Sequence, residues 1–119
     1  MAQHNELGKK AETLACDYLL NKGYAILERN FIYDHAEVDI IARKDKTVVC
    51  VEVKARSTAE FGNPQDFINT KKIKLLVKAM NEYVSSLEDD VEVRFDIIAI
   101  LHVKNAFSIE HLEDAFYHF

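Results

Sequence analysis

The chain has 119 residues, 49% of them hydrophobic, enough for residues 1–119 to bury one core without disulfides or a structural metal, so a single domain is expected. A formal net charge of -5 argues against a protein that coats DNA indiscriminately. The polar opening MAQHNELGKK and the brevity of the longest apolar stretch, Ile97 to Val103, speak against a signal peptide and a spanning helix, so a soluble, cytoplasmic chain with no membrane partner is expected.

In chain order, a first helix is predicted from about Asn5 to Lys22. Leu7, Ala11, Leu14, Ala15 and Tyr18 recur there at helical spacing, and Gly23 follows as a left-handed cap. Tyr24 to Phe31 reads as a strand. Glu37 to Arg43 and Thr47 to Lys54, rich in β-branched residues, flank the polar Lys44, Asp45 and Lys46 and read as an antiparallel hairpin. A loop from Ser57 to Pro64 leads to a second helix whose apolar face is Ile73, Leu76, Val77, Met80, Tyr83, Val84 and Leu87. Asn63 and Pro64 offer it an early cap and first-turn pair. The acidic Glu88 to Asp90 ends that helix. Val91 to Val103 is then a long strand, paired across Lys104 and Asn105 with a short one from Phe107 to Leu112. The order αβββαββ predicts an α/β fold, a mixed sheet of four to five strands flanked by two helices. Cys16 and Cys50 lie outside any metal-ligand spacing and read as small buried hydrophobes.

The net charge hides an asymmetry. Arg43 to Lys78 carries nine basic and four acidic residues, or +5, which leaves -10 for the remainder. A basic middle in an acidic chain suggests one surface that meets an anion, although a solvated charged face explains it too.

The sharpest chemical signal is Val51-Glu52-Val53-Lys54. Residues two apart in a strand share a face, so Glu52 and Lys54 point the same way as Val48 and Cys50. Charges in an apolar strand are costly unless they are paired or bound to a metal. A Glu–Lys pair that neutralises itself would satisfy that condition. The neighbouring strand adds weight to the alternative. A two- or four-residue hairpin loop gives pairs whose residue numbers sum to 91, which sets Asp39 opposite Glu52 and Glu37 opposite Lys54. Opposed residues have β-carbons about 5 Å apart, so these carboxylates would repel unless a cation joined them. Hard oxygen ligands of this kind (Asp39, Glu52 and Glu37) suit Mg²⁺ or Mn²⁺. Phosphodiester hydrolysis needs such a set, with a nearby ammonium, here Lys54, to offset developing charge or to position water.

The pattern Asp39, then Glu52-x-Lys54 on the next strand, between two helices, resembles the PD-(D/E)XK nuclease superfamily. More closely, the chain resembles the YraN-like family of uncharacterised bacterial proteins, whose relatives include Holliday-junction resolvases. The matching stretches are Gly8 to Ala15, Gly23-Tyr24, Arg29-Asn30-Phe31, Glu37 to Ala42, Val51 to Arg56, Gly62-Asn63-Pro64 and Arg94-Phe95-Asp96. The resemblance implies a restriction-endonuclease-like three-layer core, with Asp39, Glu52 and Lys54 at catalytic positions and Glu12 at the acidic position of the first helix. One departure is Ala36, where the family usually has Gly, so the turn into that strand is expected to differ.

Further contacts are expected with nucleic acid, DNA ahead of RNA. Arg56 and Gln65 stand near the proposed scissile strand. Lys71, Lys74 and Lys78 form a stripe at i, i+3 and i+7 on the second helix, for which a solvated face is the default reading and phosphate contact the alternative. Glu12, apart from the resemblance, reads as a boundary glutamate, and His35 is not expected to bind metal. A dimer would suit a symmetric junction substrate. A non-catalytic nucleic-acid-binding module and a structural partner protein are the competing functions.

Overall fold

The computed structural model of the protein describes residues 6–57 and 68–116. Its elements run α1 (Glu6–Asn21), β1 (Ala25–Tyr33), β2 (Ala36–Lys44), β3 (Thr47–Arg56), α2 (Thr70–Ser85), β4 (Glu92–Val103) and β5 (Ala106–Leu112), which is the expected order. Gly23, at φ +95°, closes α1: its N–H donates to the Leu20 carbonyl and the Tyr24 N–H to that of Leu19, both at 3.0 Å. This left-handed closure is open to glycine at little steric cost. The tight turns that follow are made by polar residues at positive φ: Asp34 at 57°, Asp45 at 56°, and Lys104 and Asn105 at 54° and 63°. Because the left-handed residue of the β1–β2 turn is Asp34, Ala36 needs no special backbone. It pairs with Tyr33 and is buried.

The five strands lie in the order β1-β2-β3-β4-β5, antiparallel throughout except for β3 and β4, which α2 connects in parallel. Alternation along the strands splits the core in two. Under α1, its Ala11, Ala15 and Leu19 pack on Ile40, Ala42, Val49, Val51, Ile98 and Ile100. Under α2, its Leu76, Ala79 and Met80 pack on Ile41, Val48, Cys50, Phe95 and Ile97. The sheet is thus covered on both faces, which is why β3 and β4 read as near-continuous apolar runs. The α2 face predicted from periodicity packs as expected, with Ile73, Val77, Tyr83, Val84 and Leu87 against the same cluster.

One polar cluster is built into the α1 layer. Asp96 is fully buried and accepts from the Arg94 guanidinium at 2.8 and 2.9 Å and from the Asp114 N–H at 3.0 Å. His111 Nε2 lies 2.7 Å from the same carboxylate, and its Nδ1 lies 3.2 Å from the Tyr18 hydroxyl of α1. Arg94 also donates to Tyr24 at 2.7 Å. Burial pushes the Asp96 carboxyl up, but the bonds from His111, Arg94 and Asp114 outweigh it and hold it below the usual carboxylate value. These six residues tie α1 and the start of β1 to the β4–β5 half of the sheet. Among the described residues no helix is long and apolar enough to cross a membrane.

Candidate functional site

The hairpin turn sets the register of β2 on β3. Asp45 and Lys46 form a two-residue loop, Lys44 pairs with Thr47, and the ladder runs on through Arg43–Val48 to Ile40–Val51, with residue numbers that sum to 91. There it stops. Beyond that point β2 continues against β1 and β3 against β4, so the two strands part like the arms of a fork. The next pair, Asp39 and Glu52, fills the fork. The Asp39 N–H donates to Glu52 Oε2 at 3.3 Å, and the Val53 N–H donates to Asp39 Oδ2 at 2.8 Å. Each carboxylate therefore bonds the backbone of the opposite strand where a ladder bond would otherwise run.

The fork opens where β1 and β2 change face together. Val38 and Ile40 are two apart, yet Val38 lies in the α2 core and Ile40 in the α1 core. On β1, Arg29 reaches Glu12 of α1, whereas Phe31 meets the Tyr83 ring of α2 edge-on. The residue between them, Asn30, stands at φ 55°, a conformation Asn tolerates better than other residues that carry a side chain. Pairing resumes on either side, Arg29 with Ile40 and Phe31 with Val38. This corrects the sequence expectation that the hairpin sets Glu37 opposite Lys54. Simple alternation fails across the kink, and Glu37 has no pairing with Lys54 because the β2–β3 ladder has already ended. Glu37 lines the same cleft but remains exposed.

That cleft has a volume of about 350 Å³ and is lined by His35, Glu37, Asp39 and Glu52 from the strands and by Asn69, Lys71, Lys72 and Leu76 from the start of α2. Glu52 is 2% exposed. Burial raises its carboxyl, the Asp39 charge raises it further, and Lys72 counteracts both only in part. Asp39 is raised as well, by burial first and then by Glu12, against the bond from Val53. Two carboxyls are thus held together and away from water, both shifted towards their neutral forms. Glu12, on α1, is near enough to act on Asp39, and its own partner is Arg29 at 3.8 Å. Lys54 follows Glu52 on the same face of β3, where burial and then the cations of Arg56 and Lys72 lower its ammonium. Arg56 lies at the end of β3 and donates to the Ala55 carbonyl at 3.0 Å.

The lysines of α2 divide differently from the predicted stripe. Lys71, Lys74 and Lys78 are all exposed, as expected. Lys71 lines the cleft, but Lys78 is paired with Asp34 at 3.1 Å, on the β1–β2 turn. The residue that meets the carboxylates is Lys72, whose Nζ lies 3.2 Å from Glu52 Oε1. It was missed because the stripe was read from exposed spacing, whereas Lys72 stands four residues before Leu76, at the N-terminal end of the apolar face. The cap is Asn69, whose side chain accepts from the Lys72 N–H at 2.8 Å, whereas an earlier start at Asn63 and Pro64 was expected. Those two residues and Gln65 lie outside the described residues. His35 is exposed beside Asp34 and forms no metal cluster. Among the described residues, no three His, Cys, Asp or Glu side chains gather closely enough to hold a metal by themselves.

Comparison with known proteins agrees with the motifs. The family described as "Uncharacterised protein family UPF0102" matches residues 11–100. UPF0102 proteins of Flavobacterium psychrophilum and Christiangramia forsetii are 57% and 60% identical over 119 residues, the whole of both chains. One of Phocaeicola vulgatus is 43% identical over 117 residues, 98% of this chain and 97% of its own. The fork, with its acidic pair and the Glu52-x-Lys54 strand, thus lies within the matched region, and the chain belongs to the UPF0102, or YraN-like, family of uncharacterised proteins.

Proposed function

We propose that this cleft is a metal-dependent nuclease site that hydrolyses phosphodiester bonds in nucleic acid. The observation that carries the proposal is the pair of buried carboxylates, Asp39 and Glu52, inserted between parting strands with Lys54 on the same face of β3. The donor set fits Mg²⁺ or Mn²⁺: hard oxygens, mutual repulsion, and burial that a cation would offset. Asp39 and Glu52 would hold the ion, with Glu12 or Glu37 approaching from the sides and water completing the shell. When bound, the ion polarises the phosphoryl group and acidifies a water.

The chain's own residues supply the rest. Lys54, lowered by burial and by its cationic neighbours, can hold the attacking water or offset charge on the phosphate oxygens. Lys71 offers a cation in the cleft lining for a flanking phosphate, and Arg56, at the end of β3, is a candidate for another. Gln65 is a further candidate contact. The resemblance to junction resolvases favours DNA over RNA, and branched or structured DNA in particular, as in repair or recombination; a two-fold junction would suit a homodimer. The two cysteines are free and buried, which fits a reducing cytoplasm.

The test is a cleavage panel of single-stranded, duplex, flap and four-way-junction DNA and RNA with Mg²⁺ or Mn²⁺. We expect the wild type to cut at least one of these. Glu52→Gln and Lys54→Ala should each lose about a hundredfold or more in rate, the cost of removing one charge-stabilising group. A wild type that binds these substrates without ever cutting would establish a non-catalytic binding module instead. A wild type that neither binds nor cuts them would leave the partner-protein function.

A further inference from the structure

The contact between Lys72 and Glu52 joins unequal partners. Glu52 is 2% exposed and fixed in the fork by its bond to the Asp39 N–H, whereas the Lys72 side chain is 44% exposed. Lys72 also stands in the first turn of α2, where no acidic residue balances it and where the helix dipole disfavours a cation. Helix stability therefore did not place it there. Its backbone is held by the Asn69 cap, so its long side chain can swing while the helix start stays fixed. Lys71 lines the same cleft, giving a leaving ammonium a polar, cationic rim suited to an anion.

We propose that Lys72 is an exchangeable counter-ion: without metal its ammonium neutralises Glu52, and when the carboxylates take up a divalent cation it moves to a phosphate of the nucleic acid. This rests on reading the cleft as a metal-dependent phosphodiester site, and it adds a coupling to that reading. Metal and ammonium compete for one carboxylate, so metal loading releases a cation that then binds substrate. Without metal, Lys72 is held by Glu52 and withheld from the substrate, so the site holds nucleic acid more weakly.

The coupling is read by binding alone. Titration with Mn²⁺ in the absence of nucleic acid should show Lys72→Gln binding the ion about tenfold more tightly than the wild type, the fold-change of one charge-assisted contact removed, with Lys72→Arg close to wild type. Binding of a short DNA duplex is then measured against salt in a Lys54→Ala background, which protects the substrate. The slopes with and without the Lys72→Gln change should coincide in the absence of metal. With Mn²⁺ they should differ by about 0.9, one phosphate contact on duplex DNA. Lys71→Gln is the control and should change the slope equally in both conditions. Unchanged or weaker Mn²⁺ binding by Lys72→Gln overturns the counter-ion, while Asp39-dependent Mn²⁺ binding by the wild type keeps the site. A slope difference that is absent, or the same with and without Mn²⁺, overturns the exchange. A wild type that binds no Mn²⁺ overturns site and exchange together.

Discussion

Glu52 concentrates the cost of the site, because a carboxylate almost wholly out of water stands against a second one, with the half-exposed Lys72 ammonium as its ion-pair partner. Removing its charge should relieve that cost. We expect Glu52→Gln to melt at or above the wild-type temperature without metal, since Gln can still accept from the Asp39 N–H, and to lose the stabilisation that Mg²⁺ gives the wild type. The pH dependence follows with its sign. Burial raises both carboxyls, to about 8 for Glu52 and about 6 for Asp39, so the folded state holds protons that the unfolded chain has released. Their contribution is complete below the ordinary carboxylate range and is lost as pH rises through these raised values. The metal-free melting temperature should therefore fall between about pH 6 and about pH 8, and Mg²⁺ should restore more of it at the upper end of that window. A metal-free protein that becomes more stable across the window would contradict the assignment.

At the scale of elements, the hairpin was legible because period-two alternation and a two-residue turn together leave one register. The kink was not. It depends on a left-handed Asn30 in β1, a local backbone choice that composition does not announce, and it carried Glu37 out of the alignment that simple alternation predicted. Asn30→Gly should fold and bind metal like the wild type, whereas Asn30→Val should cost about 1–2 kcal/mol by urea unfolding, since a β-branched residue resists positive φ. We also expect Asn30→Val to weaken metal binding, because relaxing the kink would close the fork that admits Asp39. The α2 apolar face was legible from its spacing, but Lys72 was not singled out, because its position four residues before Leu76 shows the shared face and not the Glu52 carboxylate that the sheet brings beneath it.

Over the whole molecule, helices on both faces leave the open end of the β2–β3 fork as a place where charge can be held beside a cleft, with the long β3–β4 pairing behind it as a wall. The Arg94–Asp96–His111 cluster braces that wall from the α1 side. Arg94 and Asp96 carried the family pattern in sequence and His111 did not; the partners of Asp96 come from β4, β5 and the turn after β5, and no local spacing brings them together. Asp96→Asn should cost about 3 kcal/mol or more in urea unfolding, because Arg94 and His111 lose their buried anion. Its Mn²⁺ affinity should be nearly unchanged if the protein is folded, since the cluster lies across the sheet from Glu52. The central claim, that Asp39 and Glu52 form one cation site, is tested most directly by calorimetric titration of Mn²⁺ into the wild type and Asp39→Asn. A saturable site in the wild type that is weakened at least tenfold in Asp39→Asn is expected, the loss of one charged oxygen ligand. Equal binding by the two proteins, or none by the wild type, would contradict it.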